Sequence, residues 1–165
     1  RTMISSFGLA GGQMDRGGSN SVMTSIEKTA MRYRGDTEKL SDPILRDEIS
    51  QFKIDSAAFA LTSQRSQEES KKGQGPNATS SMLKNYGCGL NKRRYEILMK
   101  ALGSQGLGWE GNKFTEEELL ITREWLRSKA NSIEGGTSEI QLNVIAKRVL
   151  GLPDMLSHNT DKRES

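Results

Sequence analysis

Apolar residues recur every three or four positions along most of this chain, and that spacing predicts helices. Val22, Ile26, Ala30 and Tyr33 give the first, capped by Ser19 or Asn20 and ended by Gly35-Asp36. Asp42-Pro43 opens a second and longer one: Asp is a good N-cap, and Pro at the first helical position gives up an amide that had no partner. Its apolar face runs through Leu45, Ile49, Phe52, Ala57, Phe59 and Leu61 to about residue 69. A polar connection, Lys71 to Asn77, leads to a third helix over about 78–102, with Met82, Leu83, Tyr86, Leu90, Ile97, Leu98 and Ala101 as its stripe. Residues 103–114 are glycine-rich. Thr115 to Glu118 has the spacing of a capping box, and Leu119, Leu120, Trp125, Leu126 and Ala130 make the following helix amphipathic. After Asn131 to Gly136, Thr137 starts a last helix, with Ile140, Val144 and Ile145 facing in and a stop at Gly151 and Pro153.

Residues 1–18 read as a short helical start and a glycine loop, and 154–165 as a disordered polar tail. No segment reads as a strand. The expectation is an all-α fold, an up-down four-helix bundle with a short additional C-terminal helix, occupying 1–153.

Composition narrows the chemistry more than the fold. A chain of 165 residues suits one core, and with 5 % aromatics that core is aliphatic. A single cysteine, Cys88, excludes a disulfide framework or a cysteine zinc cluster. A single histidine, His158 in the polar tail, argues against a Ser-His-Asp triad or a multi-histidine metal site, so no metal is expected. No apolar run approaches the roughly 20 residues of a membrane span. The net charge of +3 mixes both signs, and the densest basic cluster, Lys92-Arg93-Arg94, reads as a solvated helix face, without the interleaved aromatics of a nucleic-acid platform. The opening Arg1-Thr2-Met3 lacks an initiator and a signal peptide. That suggests a piece of a longer protein of a bacterial cytoplasm, or alternatively of a mitochondrial matrix.

Several motifs are weighed against plain alternatives. Gly106 to Gly111 is a literal GxGxxG, rejected as a dinucleotide fingerprint because a helix, not a strand, precedes it. Asn77-Ala78-Thr79 is a chance sequon without a secretion signal. Gly87-Cys88-Gly89 inside a helix reads as close packing. Glu134-Gly135-Gly136-Thr137-Ser138-Glu139 is richer. Paired glycines permit a tight turn and close approach of a ligand, Thr137 adds a hydroxyl, and helix amides follow, a set suited to a diphosphate or ribose or to an ordinary capped turn.

The stretch from Ser132 to Pro153, SIEGGTSEIQLNVIAKRVLGLP, closely resembles the C-terminal signature of the flavin-dependent acyl-CoA dehydrogenases. The opening Arg1 to Gly12 resembles the start of that family's C-terminal helical domain. The resemblance implies the third domain of a subunit that uses FAD to oxidise the Cα–Cβ bond of an acyl-CoA thioester, passing electrons to an electron-transfer flavoprotein. It implies FAD contacts at Gly135, Gly136, Thr137 and Glu139. It also implies a loop around Gly103 to Gly106, with Ser104, that reaches the FAD of a partner subunit in a homo-oligomer or heteromer.

Two departures stand out. Many members carry the proton-abstracting Glu where this chain has Gly135, and here Glu134 lies one residue early, a weak candidate. Others place the base immediately before an Arg that Arg1 matches, which makes Arg1 a substrate-side position and puts the base ahead of it. The family's Arg-x-x-Phe-Gly contact reads Met31-Arg32-Tyr33-Arg34-Gly35, with Arg32 or Arg34 as substitutes. The isolated bundle is expected to be inactive. The alternatives are a non-catalytic helical binding or oligomerisation module, a non-catalytic subunit of a heteromeric dehydrogenase, or another flavin reaction such as an oxidase.

Overall fold

In the computed structural model, residues 25–36, 39–72 and 79–153 are described. The elements are α1 (Ile26–Arg34), β1 (Gly35–Asp36), β2 (Lys39–Leu40), α2 (Pro43–Lys71), α3 (Thr79–Leu102), a 3-10 turn at Gly103–Leu107, α4 (Glu116–Ala130) and α5 (Ser138–Val144), which runs into a π-turn at Ile145–Val149. Among the described residues no helix is long and apolar enough to cross a membrane. Residues 1–18, the sequon at Asn77 and the 154–165 tail lie outside the described residues.

The order of cross-helix partners gives the topology. Glu48 meets Lys100, Asp55 meets Arg93 and Phe59 stacks on Tyr86, so α2 and α3 run antiparallel. Thr122 bonds the Gly106 carbonyl, Lys129 pairs with Glu96 and Asn131 meets Asn91, so α4 is antiparallel to α3 as well. Glu27 of α1 reaches Lys53 while Arg34 reaches the end of α3, which sets α1 parallel to α3. The helices therefore run up, down, up, down, as expected for long helices joined by short connections.

The core is gathered around the C-terminal half of α3. Ile97, Leu98, Ala101 and Leu102 are buried there with Ile26 and Ala30 of α1, Leu40 of β2, Leu45, Ile49 and Phe52 of α2 and Ile121 of α4. Beyond Phe59 the second half of α2 leaves this core, and Ala57 and Leu61, expected on its inner face, are exposed, Leu61 to 68 %.

Capping follows the sequence closely. Asp42 Oδ1 accepts from the Ile44 and Leu45 amides at 2.9 and 3.1 Å. Thr115 and Glu118 form the full capping box, Oγ1 accepting from the Glu118 amide at 3.3 Å and the Thr115 amide donating to Glu118 Oε2 at 2.6 Å. Tyr33 adds a hydrogen bond at 2.7 Å to the other oxygen of Glu118, across the α1–α4 interface.

Four expectations need correction. The cap of α1 is Ser25, whose hydroxyl accepts from the Lys28 amide; Ser19 and Asn20 lie outside the described residues. A hairpin, Gly35 paired with Leu40 and Asp36 with Lys39, follows α1, its strands too short for periodicity to reveal. In α4 the buried positions are Glu118, Ile121, Thr122 and Ser128, while Leu120 and Leu126 are exposed. Thr122 and Ser128 can be buried because their hydroxyls bond backbone carbonyls. In the C-terminal segment α5 has no buried residue and Ile140 is exposed.

Candidate functional site

Two loci on α3 bring together the residues that the sequence singled out. The first is the turn from Asn131 to Thr137. Its path needs glycine twice, with φ of +66° at Gly135 and +96° at Gly136. A side chain at 136 would also meet Gln141 Nε2 at 2.7 Å, whereas at 135 only the Lys84 stem, at 4.0 Å, is near. Thr137 then caps α5, its Oγ1 accepting from the Ile140 amide at 3.3 Å.

Side chains from α5 and α3 hold this turn. Gln141 Nε2 donates to the Gly135 carbonyl at 3.1 Å, and the Lys84 ammonium donates to the Gly136 carbonyl. Cys88 Sγ donates to the Asn131 carbonyl at 3.0 Å, and Asn91 Nδ2 donates to Asn131 Oδ1 at 2.9 Å. Lys84, Cys88 and Asn91 are spaced i, i+4, i+7 and so share one face of α3. Burial pushes the Cys88 thiol up, away from reactive thiolate character. Gly87 is buried as close packing requires, but Gly89 is exposed with open space at its Cα; it borders a groove of about 360 Å³ with Asp55, Tyr86, Lys92, Arg93 and Ser138.

Glu134 of the turn and Glu139 of α5 are both held toward the ionised form. Arg127 binds Glu134 through both terminal guanidinium nitrogens, Nη1 and Nη2, the shortest contact being 2.9 Å, and Asn131 Nδ2 donates to it at 2.6 Å. Arg127 first, and Asn131 second, hold the Glu134 carboxyl below the usual carboxylate range. Glu139 is lowered too, by its own backbone amide and then by the Thr137 hydroxyl. A base for a weakly acidic carbon needs the reverse, a carboxylate raised by a dry site. Glu134 as it stands is exposed and ion-paired.

The second locus lies at the other end of α3. Arg34 donates to the Lys100 and Ala101 carbonyls at 3.3 Å each, and its Nη2 sits 2.6 Å from where a Cβ on Gly103 (φ +58°) would be. Ser104 follows, exposed, on the 3-10 turn. Arg32, the other candidate, turns instead to Glu117 at 3.3 Å. Arg34, Gly103, Lys100, Glu48 and Asp42 line an open groove of about 420 Å³. Within it Glu48 Oε1 pairs with Lys100, while Glu48 Oε2 is buried and has no protein partner. The groove is charge-balanced, with Arg34 and Lys100 facing Asp42 and Glu48, and Arg34 and Lys100 are both engaged within the protein.

The loci are separated by the helix itself: from Lys84 to Ala101 is about 25 Å along α3 at 1.5 Å per residue. Arg1 lies outside the described residues. Sequence reading missed Lys84, Asn91, Gln141 and Glu48. Lys84 and Asn91 act across 52 and 40 residues, and no local signal marks them.

Comparison with known proteins agrees on one family. Residues 16–150 match the model of the acyl-CoA dehydrogenase C-terminal domain. The chain is 32 % identical over 117 residues to the acyl-CoA dehydrogenase IpdE1 of Mycolicibacterium smegmatis, covering 71 % of this chain and 28 % of that protein. It is 32 % identical over 123 residues to the acyl-CoA dehydrogenase FadE34 of Mycobacterium tuberculosis, covering 74 % and 16 %. The chain thus spans less than a third of the length of these curated relatives. The fold superposes on a chain of the ChsE4-ChsE5 complex from Mycobacterium tuberculosis with a TM-score of 0.63 at 19 % identity, covering 78 % of this chain and 34 % of that one.

Proposed function

The chain belongs to the acyl-CoA dehydrogenase family as its C-terminal domain, and on that premise we propose that it is the flavin-contacting and subunit-joining domain of an FAD-dependent dehydrogenase acting on acyl-CoA thioesters. The observation that carries the reading is the pair of loci. A glycine turn with Gly135, Gly136 and Thr137 packs at one place on α3, and a groove lined by Arg34, Lys100, Asp42 and Glu48 sits about 25 Å away. Two contact sets that far apart suit two flavins, one bound to the same subunit and one to a partner subunit, so the active protein is an oligomer.

A bound FAD supplies hydride acceptance from the β-carbon, with an electron-transfer flavoprotein as the later acceptor. The chain's own part is to hold that cofactor: Gly135 and Gly136 allow close approach, Thr137 at the end of the turn and Glu139 in the first turn of α5 offer polar atoms, and Arg34, Lys100 and Ser104 serve the second flavin. The α-proton goes to a carboxylate other than Glu134, which Arg127 and Asn131 keep in its weakly basic state. The position before Arg1 in the parent polypeptide is our choice for it. The isolated domain, 1–153, is inactive on this reading.

A second reading is favoured by Gly135 itself. With glycine where many relatives carry the base, the parent fits a non-catalytic subunit beside a catalytic one. One experiment separates the two. The full-length parent is purified and its visible spectrum recorded before and after anaerobic addition of mixed acyl-CoA esters. Bleaching of bound flavin is the expected result. Flavin that bleaches only when a second dehydrogenase subunit is added establishes the heteromeric reading. Absence of bound flavin overturns both.

A further inference from the structure

Glycines lose more conformational freedom on ordering than other residues, so a double-glycine turn presents a defined surface only if something restrains it. Here the restraint comes from two carbonyl anchors, Gln141 on Gly135 and Lys84 on Gly136. In a trans peptide the N–H points opposite to the C=O of the same unit. Anchoring the Gly135 carbonyl therefore aims the Gly136 amide, and anchoring the Gly136 carbonyl aims the Thr137 amide, both away from the anchors. Among the described residues neither amide donates to a protein acceptor.

Lys84 is well placed for this work. It is half-buried, its stem passes 4.0 Å from the Cβ position of Gly135, and it stands on the same face of the rigid α3 as Cys88 and Asn91, which fix Asn131 at the start of the turn. An ammonium on a carbonyl also polarises the peptide unit, which strengthens the N–H at its other end as a donor. We infer that Lys84, with Gln141, is a positioning residue: through the Gly135 and Gly136 carbonyls they hold the Gly136 and Thr137 amides, and the Thr137 hydroxyl between them and α5, in the orientation that meets the flavin. This rests on the proposal above that the turn contacts FAD.

The test uses the full-length holoenzyme and reads the FAD dissociation constant and the visible flavin bands, with melting temperature recorded alongside. Lys84→Met keeps the stem and removes the ammonium. It should raise the FAD Kd about tenfold, because the Gly136 and Thr137 amides lose their fixed aim, and shift the flavin bands. Lys84→Arg should recover most of both. Thr137→Val tests the underlying reading. If it weakens FAD while Lys84→Met lowers only the melting temperature, the inference falls and the flavin turn stands. If neither substitution alters FAD, both fall. Should Lys84→Met fail to fold, Gln141→Leu carries the question: weaker FAD supports the anchors, and unchanged affinity and bands overturn them.

Discussion

Replacing each turn glycine by alanine in turn separates backbone strain from crowding. At Gly135 the φ of +66° lies in the left-handed region, and the added methyl finds only the Lys84 stem at 4.0 Å, an ordinary contact. The cost is then strain alone, about 1–2 kcal/mol. At Gly136 the φ of +96° is further from any well open to alanine, worth about 1–3 kcal/mol. The methyl would also stand 2.7 Å from Gln141 Nε2, so that side chain must move and release the Gly135 carbonyl, at about 1 kcal/mol more. Gly136→Ala should therefore cost about 1–2 kcal/mol more than Gly135→Ala. Chemical denaturation of the full-length protein, read by tryptophan fluorescence, measures the difference, provided the turn unfolds with the domain. Repeating both substitutions in a Gln141→Ala background should narrow the gap by about 1 kcal/mol, because the crowded side chain and its hydrogen bond are already gone. Equal costs for the two alanines, or a gap unchanged in that background, would refute the account of Gly136.

Two further outcomes are expected. The Thr115 amide first, and the Tyr33 hydroxyl second, depress the Glu118 carboxyl. A depressed folded-state value contributes stability above the ordinary 4.5, lost as pH falls through the folded-state value. Tyr33→Phe should cost about 1.5 kcal/mol near neutral pH, less once Glu118 is protonated, so the melting temperatures of wild type and variant should converge in acid. In the core, Leu98→Ala should cost about 3–5 kcal/mol because the side chain is fully shielded, whereas Leu61→Ala, at a position 68 % exposed, should change the domain's stability by less than about 0.5 kcal/mol in thermal unfolding.

Local chemistry was the legible part of the sequence. Asp42-Pro43, the Thr115–Glu118 box and the Thr137 cap each state their geometry within four residues, and each forms as read. The apolar stripes were legible only in part, because periodicity reports that a face is apolar and not what lies against it. Ile97, Leu98 and Ala101 find neighbours on three helices, while Leu61 and Ile140 keep the same spacing and meet solvent. Glu118 and Thr122 show the converse: polar residues on a helix read as outward-facing until Tyr33, 85 residues away, and the Gly106 carbonyl satisfy them. For the site, the string Glu134 to Glu139 pointed to the turn but could not reveal that Arg127 and Asn131 occupy the Glu134 carboxylate. The family resemblance, not periodicity, carried the functional reading, and the match over 16–150 bears out the family.

The C-terminal segment shows how the turn and the bundle depend on each other. α5 has seven residues and none of them is buried. Isolated helices shorter than about 12–15 residues are marginal in water, so propensity does not hold it. What remains is its packing against α3 and the polar fastening at its start: the Thr137 cap, the Gln141 and Lys84 anchors, and the Ser138 amide on the Ser132 carbonyl at 3.2 Å. The same bonds that aim the turn therefore also dock the helix. Loss of an anchor should loosen both together, and occupation of the turn by a ligand should order both. Coupling of this kind follows from the sequence having placed a ligand-sized glycine turn directly before a helix too short and too exposed to stand alone.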